Sequence, residues 1–192
     1  RPRPDEGSVL KREHWRMWPH AKPPRCEYVV DVWDTAFEEG EEDDYSACTT
    51  WGVFVYDEPA PVEFLDPKLP RWRKPVTGQR HCVILIDWWE DRVEFPELRR
   101  IAIERYKSSQ ADKVLIEKKS SGHSLIHELR RAGVPVMALQ ADRSKLARAH
   151  AASVVLDDGC VWYMDRRWAD AVIEKCAAAT FVKGDPGNDT PD

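Results

Sequence analysis

The sequence has 192 residues, of which 42% are hydrophobic and 33% are charged, and this length and balance predict one soluble domain. No apolar run approaches the roughly 20 residues that a membrane-spanning helix needs, and no basic segment leads into an apolar one at the start. We therefore expect neither a transmembrane helix nor a secretory signal. The net charge of -5 excludes a uniformly basic surface, but local clusters of Lys and Arg remain that could bind nucleic acid.

The first half of the chain predicts a linker followed by three strands. Residues 1–26 are basic and rich in Pro, as in a linker, with one short amphipathic piece near residues 14–18. Segments rich in β-branched and aromatic residues follow at residues 27–34, 46–56 and 82–89. An acidic loop separates the first two, and a Pro-rich loop insertion at residues 57–81 precedes the third. Because no connection contains a crossover helix, we expect an antiparallel meander.

The second half of the chain alternates helices and strands. The helical segments, with apolar residues at helical spacing, are residues 96–109, 120–132, 142–152 and 167–179. Short apolar strands are expected at residues 113–117 and 134–139, and an extended segment at residues 159–163. A meander followed by right-handed βαβ units predicts an α/β domain with a mixed five-stranded sheet flanked by helices.

The sequence lacks the motifs of several common enzyme classes. It contains no P-loop, no dinucleotide-binding glycine motif and no G-x-S-x-G. The five cysteines are widely spaced, odd in number and without a C-x-x-C pair, which predicts reduced structural thiols rather than a zinc site. His123 and His127 are four residues apart on a predicted helix and could chelate a metal, but the Glu of a metalloprotease helix is missing. An exposed helix face is therefore the favoured interpretation.

Carboxylates at the ends of predicted strands indicate a metal site. Asp31 and Asp34 are three positions apart on the first strand and therefore face opposite sides. Asp34 comes last, and Glu117 follows the apolar run of the fourth strand, where a buried charge is costly unless it is paired or bound to a metal. If these strands are neighbours, Asp34 and Glu117 repel each other unless a divalent cation neutralises them. Oxygen ligands without a soft partner favour Mg²⁺ or Mn²⁺.

Acidic residues near the end of the chain offer a third carboxylate. The candidates are Asp185, Asp189 and Asp192. Residues 189–192 have the pattern of an N-cap followed by a first helical turn, in which both acids could approach one site. A helix start with no role in a site is the alternative interpretation.

Eight short segments occur in an order that is typical of one protein family. They include V-W-D-T-A at 32–36, D-Y-S-A-C-T-T-W-G-V at 44–53, L-I-E-K-K-S-S-G at 115–122 and G-N-D-T-P-D at 187–192, with further segments at 95–98, 142–149, 159–161 and 168–181. Taken together they resemble the nuclease domain of the terminase large subunit of tailed bacteriophages. The likeness runs from about Tyr28 to the last residue, and the ordered set is far more specific than any single motif in it.

The resemblance implies an RNase H-like fold in residues 27–192 and an endonuclease that cleaves concatemeric double-stranded viral DNA during genome packaging. The carboxylates that it implies around two Mg²⁺ or Mn²⁺ ions are Asp34, Glu117, Asp189 and, as a further metal ligand, Asp192. The family usually has adjacent acids in its last motif, and here one of these positions is Asn188. That departure leaves Asp189 as the first choice and Asp192 as the second.

Two groups of cations are candidates for binding the DNA backbone. Arg143, Lys145 and Arg148 have near-helical spacing, so phosphate contacts and a solvated helix face are equally open interpretations. In the loop insertion, an aromatic residue is interleaved with cations, a composition suited to duplex backbone or exposed bases. The cations of this second group are Arg71, Arg73 and Lys74. A loop packed by its own Trp72 is the slightly favoured alternative.

The resemblance also implies partners. Besides double-stranded DNA, these are an upstream ATPase domain that is absent from this chain, the small terminase subunit and the capsid portal, with no membrane. We expect the protein in the host cytoplasm and not in the virion.

Two alternatives remain open at this stage. One is another RNase H-like nuclease, such as a junction resolvase or a transposase core, which cleavage of linear against branched DNA would separate. The other is a non-catalytic DNA- or portal-binding module, which Asn188 favours and a metal titration would test.

Overall fold

The structure, a computed structural model, describes residues 8–35, 45–57, 79–118, 120–140 and 143–179. Its strands are β1 (Arg16–Trp18), β2 (Tyr28–Asp34), β3 (Ser46–Tyr56), β4 (Arg80–Asp91), β5 (Lys113–Glu117), β6 (Val136–Leu139) and β7 (Val161–Met164). Its helices are a short 3₁₀ helix, η1 (Arg12–His14), and α1 (Phe95–Ser109), α2 (Ser120–Arg131), α3 (Lys145–Asp157) and α4 (Ala169–Ala178).

The strands form one mixed sheet in the order β1-β7-β4-β3-β2-β5-β6. β2 and β3 pair antiparallel, whereas the pairs β2–β5, β5–β6 and β1–β7 are parallel. This arrangement confirms the predicted α/β class, an antiparallel start followed by parallel βαβ units. It also makes neighbours of the two strands that end in Asp34 and Glu117.

Within the described residues, the sheet has two strands more than the five that the sequence predicts. β1 lies in the segment expected to be a linker, and β7 lies where only an extended segment is expected. The three residues of β1 pair with β7, and Trp18 packs edge-on against Phe54 and Trp162, with ring centroids 5.4 and 5.5 Å away. Aromatic packing thus stabilises a strand that is too short to show a pattern, and residues 12–18 belong to the fold rather than to a linker.

The chain divides into two compact units. The first comprises residues 1–24, 54–84 and 142–192, and the second comprises residues 25–53 and 85–141. In the first unit, Arg12 of η1 forms ion pairs with Asp170 and Glu174 on α4. His14 is buried, and its Nδ1 lies 2.7 Å from the carboxylate of Asp157 at the end of α3. These contacts attach η1 to the helices of its own unit.

Local capping signals set several helix ends. α3 begins at Lys145 because the Ser144 side chain accepts a hydrogen bond from the backbone N–H of Ala147 at 3.2 Å. α1 ends where Gln110 adopts a left-handed conformation, with φ of 53°. After α2, Gly133 has φ of 79°, a conformation that glycine adopts without steric cost.

The core of the second unit lies between the sheet and the helices α1 and α2. Side chains from β2, β5 and both helices fill it, and each is at most 2% exposed: Trp33, Ile116, Leu98, Leu125 and Leu129. Trp89 of β4 packs against Trp33, with ring centroids 5.5 Å apart. The helices therefore cover one face of β2 and β5, and the residues at alternate positions face the other way.

Three of the five cysteines are buried. All five cysteines are free. Burial raises the pKa of Cys48 and of Cys82 to about 12 each, so both remain protonated at neutral pH and are poor nucleophiles and metal ligands.

Over the part of the chain that the structure describes, no helix is long and apolar enough to cross a membrane.

A reciprocal pair of hydrogen bonds aligns β2 with the start of β5. The backbone N–H of Val29 donates to Asp112 Oδ2 at 2.8 Å, and the backbone N–H of Asp112 donates to the carbonyl of Val29 at 2.7 Å. Because Asp112 directly precedes β5, this pair sets the register with which the two strands begin.

Asp31 is a fully buried carboxylate in the middle of β2. Thr50 Oγ1 donates to its Oδ1 at 2.6 Å, and Ser109 Oγ donates to its Oδ2 at 2.7 Å, so it connects β2 to β3 and to the end of α1. Burial raises the pKa of Asp31, and the two hydroxyl donors and the nearby Arg105 offset this only in part. Asp31 therefore has a structural role in the core.

We expect the contribution of Asp31 to the free energy of unfolding to fall as pH rises. In the folded protein the raised pKa keeps a proton on Asp31 at pH values where the unfolded chain, with a pKa of about 3.9, has lost it. The free energy of unfolding of the native sequence, minus that of Asp31→Asn, should therefore fall from about pH 4 upward until the raised pKa is passed. Urea denaturation between pH 4 and 7 measures this difference, with Asp165→Asn as an exposed control. A difference that stays constant or rises contradicts the raised pKa.

Candidate functional site

The two carboxylates predicted for metal binding lie at one edge of the sheet. Asp34 is the last residue of β2 and Glu117 is the last residue of β5, and the two strands run parallel. Their register pairs Trp33 with Ile116, so Asp34 and Glu117 occupy the next position along the two strands. The structure therefore brings together these two residues of the predicted site.

Side-chain alternation separates the two aspartates of β2. Trp33 and Ile116 are buried among the core residues of α1 and α2, so Asp34 and Glu117 face the opposite side of the sheet. Asp31 shares the buried face, whereas Asp34 is exposed. Asp34 is thus the aspartate of this strand that can meet a ligand from solvent, as the alternation predicts.

The backbone around Glu117 is tightly packed. Gly122 is buried in the first turn of α2, and a Cβ at this position would overlap the carbonyl oxygen of Glu117 and contact Ile116. On the other side, the backbone N–H of Lys118 donates to the carbonyl of Leu139 at 2.6 Å. The Glu117 side chain is half-buried, with Oε1 shielded from solvent. A carboxylate oxygen in this position loses hydration, which a bound cation would offset.

The third carboxylate of the predicted site is not described. Asp189 and Asp192, and the further candidate Asp185, lie outside the residues that the structure describes. Within the described ranges, no group of three or more His, Cys, Asp or Glu side chains is arranged to hold a metal ion. Of the predicted metal ligands, the described residues therefore include only Asp34 and Glu117.

The predicted DNA-binding cations are described only in part. Arg143 precedes α3 and is exposed, Lys145 begins the helix and is half-buried, and Arg148 is exposed one turn later. α3 belongs to the first compact unit, whereas Asp34 and Glu117 belong to the second. The loop cations lie outside the described residues: Arg71, Arg73 and Lys74.

The two histidines of α2 lie on an exposed helix face. They line a shallow cavity of about 450 Å³ together with Phe95, Ser124 and Glu128. Both His123 and His127 are exposed, and Glu128 is engaged by Arg99, whose Nε lies 3.0 Å from its carboxylate. This environment agrees with the favoured interpretation from the sequence, a solvated face of α2.

An aromatic–cation pair that the sequence does not predict lies at the same edge of the sheet. The guanidinium of Arg92 lies over the ring of Tyr45, with Cζ 4.3 Å from the ring centroid. Tyr45 directly precedes β3, is 51% exposed, and Arg92 follows β4 by one residue. The only signal in the sequence is that each residue adjoins the end of a strand, and the contact becomes evident only once β3 and β4 are known to be neighbours.

Comparison with solved structures finds the same fold in a phage nuclease. A crystal structure of the large terminase nuclease from thermophilic phage G20c with bound magnesium has a TM-score of 0.50 and 12% sequence identity, covering 89% of this chain and 79% of that chain. A second crystal structure of that nuclease, with bound zinc, has a TM-score of 0.47 and 11% identity, covering 88% of this chain and 96% of that one. At such low identity the likeness concerns the fold. Among curated proteins, none matches this chain.

Sequence comparison with protein families gives a direct assignment. The family described as Terminase RNaseH-like domain matches residues 79–190, which is more than half of the chain. The match begins one residue before β4 and includes Glu117, Asp185 and Asp189. This chain belongs to the terminase RNase H-like domain family.

Proposed function

We propose that this domain is a metal-dependent endonuclease that cleaves concatemeric double-stranded viral DNA during genome packaging. The observation that carries the proposal is the position of Asp34 and Glu117, side by side at the ends of parallel strands in a terminase RNase H-like domain. The similar nuclease of phage G20c was crystallised with bound magnesium, which agrees with a carboxylate-based metal site.

The donor set fits a hard divalent cation. Asp34 and Glu117 offer only carboxylate oxygens, and Mg²⁺ and Mn²⁺ prefer such ligands. In our proposal Asp34, Glu117 and Asp189 would together hold two ions, and Asp192 is the alternative third ligand. When bound, the ions supply an activated water and neutralise the charge that develops on the phosphate.

The protein itself holds the ligands at a fixed distance and binds the DNA. β2 and β5 keep the two carboxylates adjacent. The free-energy cost of bringing them together is therefore met when the domain folds and not at each turnover. We assign DNA-backbone contacts to the cations Arg143, Lys145, Arg148, Arg71, Arg73 and Lys74. In the packaging machinery the partners are the terminase ATPase domain, the small terminase subunit and the capsid portal, and the place of action is the host cytoplasm.

Loss of either described carboxylate should abolish cleavage without unfolding the domain. Even partners in the outer shell of a metal site typically contribute 10- to 100-fold, so Asp34→Asn and Glu117→Gln should each lower the rate by about 100-fold or more. Both variants should be as stable as the native protein, or slightly more so, without metal, because the clustered negative charges are removed. Plasmid digestion with Mg²⁺ or Mn²⁺ and thermal melting in chelator measure the two effects.

Two exposed carboxylates provide matched controls for these variants. Asp165→Asn and Glu104→Gln make the same chemical changes at exposed positions outside the site and should leave cleavage unchanged. If Asp34→Asn cuts DNA at the native rate, the assignment of the strand face is wrong. If branched DNA is cut and linear duplex is not, the domain acts as a junction resolvase rather than as a packaging nuclease.

The tail carboxylates should control metal affinity. Cleavage should stop in chelator and return with Mg²⁺ or Mn²⁺, and Asp189→Asn should raise the metal concentration needed by about 10-fold or more. Asp192→Asn and Asp185→Asn should have smaller effects, and Asp165→Asn, at an exposed position outside the site, is the matched control. Mn²⁺ titration followed by tryptophan fluorescence gives a readout that does not depend on activity. Full activity in chelator would exclude a metal mechanism, and a larger effect of Asp185→Asn would move the third ligand to that residue.

Gly122 should be required for the position of Glu117. An added methyl group must displace either the first turn of α2 or the Glu117 carbonyl, at a cost of about 1–3 kcal/mol in stability. A misplacement of about 1 Å in a site can cost about 100-fold in rate, so Gly122→Ala should lose most cleavage and weaken Mn²⁺ binding.

Gly133→Ala is the control for general destabilisation. Gly133 lies beyond the other end of α2, has positive φ and open space around it, so this change costs backbone strain of about 1–2 kcal/mol away from Glu117. Equal losses of cleavage and of Mn²⁺ affinity in the two variants would mean that Gly122 affects stability alone.

A further inference from the structure

The pair formed by Tyr45 and Arg92 adjoins the carboxylate edge of the sheet. Asp34 pairs with Ala47, and Tyr45 lies two residues before Ala47 in the chain. Because β2 and β3 are antiparallel, the start of β3 lies beside the end of β2. With a rise of about 3.3 Å per residue and about 4.8 Å between strands, the Cα atoms of Tyr45 and Asp34 are about 8 Å apart.

The pair also lies on the same face as the carboxylates. In β3 the even-numbered residues Ser46, Cys48 and Thr50 are buried, so the alternation places Tyr45 with Ala47 on the opposite, Asp34 face.

The same reasoning applies to β4. Asp87 contacts Arg105 of α1 at 2.9 Å, and Trp89 packs against Trp33, so the odd positions of β4 face the helices. Arg92, at an even position, is therefore on the Asp34 face, as its contact with Tyr45 requires.

The stacked geometry is suited to an anionic ligand. The Arg92 Cζ lies 4.3 Å from the Tyr45 ring centroid, and a guanidinium that stacks on a ring presents its N–H bonds as a fork within its own plane. This in-plane fork matches the oxygens of a phosphate group, which a guanidinium can bind in bidentate fashion. The ring thus limits the orientations of a long, exposed side chain beside the metal-binding edge.

We propose that Arg92 binds a backbone phosphate of the DNA next to the scissile one, and that Tyr45 is the positioning residue that orients it. The inference rests on the proposed nuclease function of Asp34 and Glu117. In the sheet order, β4 is two strands away from β2, or about 10 Å. We therefore place Arg92 on a phosphate beside the reacting one, where it would align the DNA strand that runs across the carboxylates.

Binding of linear duplex DNA in chelator, measured by fluorescence anisotropy across a salt series, tests the proposal without cleavage. Each phosphate contact contributes about 0.9 to the slope of log K against log salt concentration. Arg92→Ala should therefore reduce the slope by about 1 and weaken binding by about 5- to 10-fold at low salt. Arg92→Lys should keep the slope but lose part of the affinity, Tyr45→Ala should weaken binding, and Tyr45→Phe should not.

Arg100→Ala is the matched control. Arg100 is an exposed arginine of α1 that forms ion pairs with Glu97 and Glu104, so the variant removes the same charge elsewhere on the same unit. Its salt slope should equal that of the native protein. If Arg92→Ala and Arg100→Ala have the same slope, or if the native protein does not bind duplex DNA at 50 mM salt, the proposal is wrong.

Cleavage kinetics separate this proposal from the nuclease assignment. In the active enzyme, Arg92→Ala should raise KM for DNA and leave kcat at saturating DNA within about twofold, because the contact orients bound DNA without touching the reacting atoms. A fall in kcat at unchanged KM would overturn the proposed role. If no cleavage occurs with Mg²⁺ or Mn²⁺ but the salt slope still depends on Arg92, the nuclease assignment fails while the phosphate contact stands.

Discussion

The parallel pairing of β2 with β5 is the constraint on which the rest of this domain depends. It makes the last residues of two strands neighbours, and in this chain both are carboxylates, Asp34 and Glu117. The helices α1 and α2 cover one face of these strands with a core built around Trp33 and Ile116. The core therefore fixes the two strand ends at which Asp34 and Glu117 lie in neighbouring positions. In the proposed function, a divalent cation bound at these strand ends would neutralise both carboxylates.

Two aspartates three positions apart on β2 have opposite surroundings. Asp31 is buried, and its carboxylate accepts hydrogen bonds from the hydroxyl groups of Thr50 and Ser109. Asp34 has the opposite orientation and is exposed, so its oxygens retain access to a ligand. No special sequence motif is needed for this difference. Two side chains an odd number of positions apart on a strand point to opposite faces of the sheet, and here one face is buried and the other is exposed at Asp34. A carboxylate that stabilises the sheet and one that binds a ligand can therefore belong to the same short strand.

Much of this architecture follows from local sequence, and the exceptions have physical causes. Residues 46–56 and 113–117 are predicted with the bounds that β3 and β5 show, because each is an apolar run with clear breaks at both ends. β1 is missed because three residues are too few to show a period, and its stability comes from the packing of Trp18. The contact between Tyr45 and Arg92 depends on the pairing of β3 with β4 across a long insertion, which local sequence does not encode. The third carboxylate stays a prediction from family resemblance, since it lies outside the described residues.

The reciprocal hydrogen bonds between Val29 and Asp112 have a consequence for how this domain can vary in length. They fix the start of β5 against β2. The position of Glu117 relative to β2 therefore depends on the number of residues that follow Asp112 in the strand. One residue inserted after Asp112 would turn Glu117 to the helix-covered face and bring a neighbouring side chain to the site. The same insertion before Asp112, in the turn after Gln110, leaves the count unchanged and can be absorbed as a longer loop. Over evolution, insertions and deletions between α1 and β5 should therefore accumulate on the α1 side of Asp112, while the length of the strand itself is held constant.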